Sequence, residues 1–137
     1  MSEKVYRLDT PRTSLIFYGD GKSVTYLYYG KKISELPPEV AFAKEDNIGT
    51  DLRNKLFSCF GDDDHRDKSI LLFNPDNSFS NDFVFKSATV SKGKKAIPCL
   101  PSSFGAEKTL NFEFEDETEK LSLTISYSVY RDNDAIT

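Results

Sequence analysis

Apolar and polar residues alternate one by one through the last third of the chain. In KLSLTISYSVY, Leu121, Leu123, Ile125, Tyr127 and Val129 fall on one face and Ser122, Thr124, Ser126 and Ser128 on the other. In TLNFEFED, Leu110, Phe112 and Phe114 alternate with Asn111, Glu113 and Glu115. A period of two predicts strands with one buried face, and the short turn at 116–120 joins them as an antiparallel hairpin. TSLIFYGDGKSVTYLYYGKKI predicts another hairpin, with strands at 15–18 and 23–29 around the turn Gly19-Asp20-Gly21-Lys22. Asp-Gly suits that turn because both residues tolerate positive φ. Residues 69–73 read as a short apolar strand that turns through Asn74-Pro75-Asp76-Asn77 and pairs with 82–90, DFVFKSATV. A turn at 91–95 and a proline-marked extended connection at 97–101 follow.

No stretch carries a sustained helical period. Residues 34–58 contain Pro37-Pro38, little alternation and mixed charge. With the acidic stretch after them they predict a long loop around 34–66, a length that in a compact domain is often functional. The expected fold is therefore all-β, an antiparallel β-sandwich of two sheets in a single domain over residues 1–137. There are no internal repeats and no low-complexity segment.

Composition narrows the partners. The formal net charge of the 137 residues is -4, with both signs spread along the chain. That argues against nucleic acid as the main partner. No apolar run nears the roughly 18 residues of a membrane span. MSEKVYRLDT lacks the apolar centre of an export signal. Cys59 and Cys99 form no CxxC pair, so reduced thiols and a cytoplasmic location are expected.

The stretch FGDDDHR, residues 60–66, holds three acids, the single histidine and an arginine. A calcium loop would need spaced acids and a distal bidentate Glu, and zinc would need further His or Cys ligands; neither pattern is present. Three adjacent aspartates do not face one another across a substrate as a glycosidase acid–base pair must. His65 has no serine or cysteine in a nucleophile elbow, and there is no dinucleotide or phosphate-binding glycine motif. Binding remains, since an arginine beside acids can clamp hydroxyls or a carboxylate through charge-assisted hydrogen bonds. The bland alternative is a solvated acidic turn.

Four stretches, in order, carry a resemblance. They are TSLIFYGDGKSVTYLYYGKKI, with LYYGKKI its most specific part; FGDDDHRDKSI; SKGKKAIPCLPSSFG; and LNFEFEDETEKLSLTISYSVYRDNDAIT. Together they resemble the N-terminal β-sandwich domain of family 36 glycoside hydrolases, the large α-galactosidases of bacteria and fungi. The resemblance covers nearly the whole chain and is weakest over 39–47. It implies that the chain forms part of a supersandwich domain and is the N-terminal fragment of a longer enzyme. The (β/α)8 barrel carrying two catalytic aspartates would lie outside it.

The resemblance further implies that the full-length protein is a retaining α-galactosidase acting on terminal α-galactosides such as melibiose or raffinose. No catalytic residue, cofactor or metal site falls in this fragment, which alone would be inactive. Its implied work is to pack on the barrel of the same chain, to support a homo-oligomer and to lend a loop to the galactose site. Carried over, the substrate-binding positions are Asp51, Asp64 and Arg66. For Asp51 the alternative is a turn or helix-capping acid; for Arg66 it is a salt bridge to Asp64 or Asp67. The family's TGDFR is DDDHR here, which leaves open an α-N-acetylgalactosaminide as substrate. A stand-alone carbohydrate-binding sandwich is the competing reading; lacking Trp, it would have to stack sugars on Tyr26, Tyr28 and Tyr29.

Overall fold

Residues 4–36, 55–61 and 67–137 are described by a computed structural model, and among them the regular structure is entirely β. Six strands form two antiparallel three-stranded sheets. The first sheet orders β1 (Lys4–Asp9), β2 (Thr13–Gly19) and β3 (Val24–Lys31) side by side. The second orders β4 (Val84–Lys92), β5 (Ala106–Asp116) and β6 (Leu121–Tyr130). Each sheet is a meander of sequential strands, and it includes the expected hairpins at β2–β3 and β5–β6.

The β2–β3 turn forms for the reason its sequence suggests. Asp20 Oδ1 accepts hydrogen bonds from the backbone N–H of Lys22 at 2.7 Å and of Ser23 at 2.6 Å, and Gly21 takes a φ of 91°. The β5–β6 turn uses the same device, with Asp116 Oδ1 accepting from the N–H groups of Thr118 and Glu119, both at 3.0 Å. Irregularities in register fall at Ile16/Phe17, Phe85/Ser87 and Ala106/Lys108. Such bulges bend a strand and sharpen its twist.

The sheets face each other across an aromatic core. Phe17 of β2 meets Phe112 of β5 with ring centroids 5.0 Å apart and Tyr127 of β6 at 4.8 Å. Tyr6 of β1 meets Phe112 edge-on at 5.3 Å. Phe17 and Phe112 have no exposed surface, and burying such a side chain contributes about 1.5–3 kcal/mol. Leu8, Leu15, Val24, Phe85, Leu110, Phe114 and Val129 complete the core. The alternation in β5 and β6 thus places its apolar set inward, as expected.

Two expectations change. Residues 4–9, unassigned from the pattern, form β1, the outer neighbour of β2. Residues 69–73 form no strand, and β4 pairs with β5 instead. One backbone bond, from the N–H of Ile70 to the carbonyl of Ser58 at 3.1 Å, ties 69–73 to the chain before it. An apolar run without a ladder partner is not a strand. Of the expected long loop, 34–36 and 55–61 are irregular apart from isolated bridges at Lys55 and Phe60.

Candidate functional site

The three carried-over positions, Asp51, Asp64 and Arg66, lie outside the described residues. What is described is the frame from which the acidic stretch springs. Phe57 anchors the entering chain on one end of the sandwich, its ring 5.1 Å from Phe114 and 6.1 Å from Phe83. Lys55 bridges to Thr25 of β3.

Two serines then join the chain entering the stretch to the chain leaving it. Ser58 Oγ donates to the carbonyl of Asp67 at 2.9 Å and accepts from the N–H of Ser69 at 3.0 Å. In return, the N–H of Ser58 donates to Ser69 Oγ at 3.3 Å. Each side chain stands in for a missing strand partner, so the two stems are fixed without a sheet between them. Beyond Ser58, the N–H of Asn81 donates to the carbonyl of Phe60 at 2.9 Å. Gly61 follows with a φ of 107°, and a Cβ there would stand 3.2 Å from the carbonyl oxygen of Asn81. Glycine is required by both the conformation and the close approach.

Under this frame runs a buried polar chain. Asn81 Nδ2 donates to Asn74 Oδ1 at 3.2 Å and more weakly to Asp116 Oδ2 at 3.4 Å. Asn74 Nδ2 reaches Ser78 Oγ at 3.0 Å and the carbonyl of Ser80 at 2.9 Å. Asp116 Oδ2 accepts from the N–H of Asp82 at 2.9 Å. Asp116 is only 1% exposed. Burial pushes its carboxyl upward, but the N–H groups of Glu119, Asp82 and Thr118 and the Asn81 amide outweigh it. The carboxyl lies below the usual carboxylate range. One carboxylate therefore ties together the β5–β6 turn, the entry to β4 and the frame of the acidic stretch.

A second polar cluster sits at the opposite end of β4 and β5. The Ser103 and Tyr130 hydroxyls are hydrogen-bonded, and Tyr130 OH lies 2.8 Å from Thr137 Oγ1. Lys94 Nζ donates to Ser103 Oγ and to Thr137 Oγ1, each at 3.2 Å. The Ser103 and Thr137 hydroxyls and then the Lys94 charge hold the Tyr130 phenol below its usual range. Sequence reading passed over both clusters. Local signals exist, an aspartate opening a turn at Asp116 and a serine on each side of the acidic stretch, but their partners are distant in the chain.

The tyrosines proposed as a sugar platform divide. The Tyr26 and Tyr127 hydroxyls are hydrogen-bonded and the Tyr26 ring lies 5.3 Å from Phe17, so Tyr26 belongs to the sandwich. Tyr28 donates to the carbonyl of Lys31 at 2.7 Å, and Tyr29 is exposed. Among the described residues no group of three or more His, Cys, Asp or Glu side chains is placed to hold a metal ion. No described helix is long and apolar enough to cross a membrane, and Cys59, buried, and Cys99, exposed, are not joined in a disulfide.

The profile of the glycosyl hydrolase family 36 N-terminal domain matches residues 22–137. The chain belongs to that family. This domain is similar to the bifunctional alpha-galactosidase/sucrose kinase AgaSK of Mediterraneibacter gnavus, with 25% identity over 153 aligned positions that cover 99% of this chain and 16% of the relative. Its fold matches the GH36 alpha-galactosidase AgaA of Geobacillus stearothermophilus at a TM-score of 0.84 and 20% identity, over 97% of this chain and 21% of that one. A variant of AgaA solved in complex with raffinose matches at a TM-score of 0.79 and 21% identity, with the same coverage of 97% and 21%. The family 36 domain described here thus spans about a fifth or less of these relatives' length.

Proposed function

We propose that this chain is the non-catalytic N-terminal part of an α-galactosidase that releases terminal galactose from α-galactosides in the cytoplasm. The carrying observation is the family profile, which runs over residues 22–137. The relatives' names support it. In this reading the retaining chemistry belongs to a barrel of the same polypeptide, with two carboxylates acting as nucleophile and acid–base. The domain packs on that barrel, supports a homo-oligomer and lends the substrate a loop.

The loop residues in this reading are Asp51, Asp64 and Arg66. A carboxylate at Asp51 can accept hydrogen bonds from two vicinal sugar hydroxyls, and Arg66 can donate in return. The reciprocal Ser58–Ser69 bonds suit the task, because they hold both stems of the Arg66-bearing stretch in one place. Pre-positioned contacts of this kind lower the cost of binding.

The test begins with the reading frame beyond the codon for Thr137. A frame running on through a barrel supplies the full-length enzyme, which should hydrolyse raffinose. Asp51→Ala should then raise KM roughly tenfold, the loss of one or two hydrogen bonds, with a smaller change in kcat. A stop codon at that point, or an unchanged KM, defeats the reading.

A further inference from the structure

One buried hydroxyl, that of Ser58, meets the chain leaving the acidic stretch at two backbone groups. Ser58 is 2% exposed. Its Oγ donates to the carbonyl of Asp67 at 2.9 Å and accepts from the N–H of Ser69 at 3.0 Å, with Ser69 Oγ 3.1 Å away. Its own carbonyl accepts from the N–H of Ile70 at 3.1 Å.

Ser58 is itself firmly seated. Phe57 before it packs on Phe114 and Phe83, and Cys59 after it is 1% exposed, with its thiol 3.5 Å from the carbonyl of Asn81. The entering chain is next held at Phe60, whose carbonyl accepts from the Asn81 N–H. The Phe60 ring also lies 5.3 Å from Lys68 Nζ, a second and weaker tie between the two stems.

Asp67 directly follows Arg66, and only residues 61–66 lie between the held Phe60 and the held Asp67. A link that short between two held points has few ways to lie, and freeing one point multiplies them. Asp62, Asp63 and Asp64 repel one another along the link, which favours spreading and is opposed by the tie. The hydroxyl thus bears on the freedom of the link, while the apolar core that holds the sheets together stands apart from it.

We infer that Ser58 is a positioning residue for substrate binding: its hydroxyl pins the carbonyl of Asp67 and so sets where the adjacent Arg66 meets the sugar. The inference rests on the proposed reading, in which Arg66 binds substrate, and adds the buried side chain that controls this contact. Without the Ser58 hydroxyl, Arg66 keeps its charge but must be ordered at the moment of binding. That weakens binding and leaves the chemical step alone.

Steady-state kinetics of the full-length enzyme on raffinose test it. Ser58→Ala should raise KM roughly fivefold, with kcat within about twofold of the parent. Arg66→Ala should raise KM at least as much. The double variant should be no worse than Arg66→Ala alone, since Ser58 acts through Arg66. Hydrogen exchange reads the cause without activity: Ser58→Ala should speed the Ser69 N–H, whose acceptor it removes, while the β5–β6 amides keep the parent's protection. Should Ser58→Ala lose its fold, Ser58→Cys takes its place; the thiol fills the site but is a weak donor and acceptor, so the same rise in KM is expected.

An unchanged KM for the Ser58 variant, with Arg66→Ala impaired, overturns the inference and leaves the reading standing. Costs that simply add in the double variant also overturn it, because Ser58 would then act on something other than Arg66. An unchanged KM for Arg66→Ala removes Arg66 from the proposed site and the inference with it. A stop codon after Thr137 defeats reading and inference together.

Discussion

The sandwich and the segment that precedes β4 are built in opposite ways. Between the sheets, Phe17, Phe112 and Val129 are inside and the serines of β6 mostly outside. In residues 55–83 the order is partly reversed. Phe57 and Cys59 still face inward, but Phe60, Leu71, Phe73 and Phe79 are exposed, while Ser58, Asn74 and Asn81 are buried and Asn81 bonds Asp116. The sandwich is held by area removed from water, which is non-directional and tolerant of small shifts. The segment is held by hydrogen bonds, which fix position but add little net energy each. A frame of that kind can hold a loop in place while leaving apolar side chains free for another surface.

The comparison can be broken most forcefully at Phe112. Phe112→Ala should cost about 3–5 kcal/mol, read as a lower urea midpoint with little change in slope. A cost near that of a surface change would mean that the aromatic core does not carry the fold.

Asp116→Ala should cost roughly 3 kcal/mol, because it strands backbone donors of the β5–β6 turn and of Asp82 together with the Asn81 amide. Its pH dependence sharpens the point. The folded carboxyl lies below its unfolded value, so the unfolded chain takes up a proton first. The stabilisation from this group is complete above about pH 5, falls as pH drops through the unfolded value near 4, and is lost below the folded one. Unfolding at neutral and acid pH should therefore show a flatter acid loss in the variant than in the parent. Some loss should remain, because Asp9, Asp20 and Asp134 are also held below the usual range. A variant with an unchanged acid slope would remove Asp116 from its proposed place.

Gly61→Ala should cost about 1–2 kcal/mol, since it adds a Cβ at positive φ against the Asn81 carbonyl. The loss should be concentrated in the segment, read as faster hydrogen exchange at the N–H groups of Asn81 and Ile70 while the β5–β6 amides stay protected. Equal acceleration in the sheets would show that frame and sandwich unfold as one unit.

Legibility followed the range of the interactions. Leu110, Phe112, Phe114 and the odd-numbered residues of β6 announce a strand face because the pleat repeats every two residues, whatever lies opposite. Asp20 and Gly21 announce their turn because its hydrogen bonds close within four residues. The run at 69–73 looked like a strand by the same local test and is not one, since a strand exists only with a partner and β4 pairs with β5. Asp116 could be read as a turn residue; that it also accepts from Asp82, 34 positions away, could not. The β1 strand was missed because KVYRLD alternates weakly, and its place comes from pairing with β2. The site positions Asp51, Asp64 and Arg66 came from likeness to a family and not from any pattern of their own.

The sequence alone therefore determined the class of fold, the two hairpins and the family, all of which rest on local periodicity or on ordered motifs. Only the tertiary structure decided that β1 joins β2 and β4 joins β5, that a buried carboxylate ties the acidic stretch's frame to a distant turn, and that apolar side chains are left outside at both ends of β4. Those outcomes depend on which residues far apart in the chain come together, and a pattern along the chain carries no record of what stands across from it.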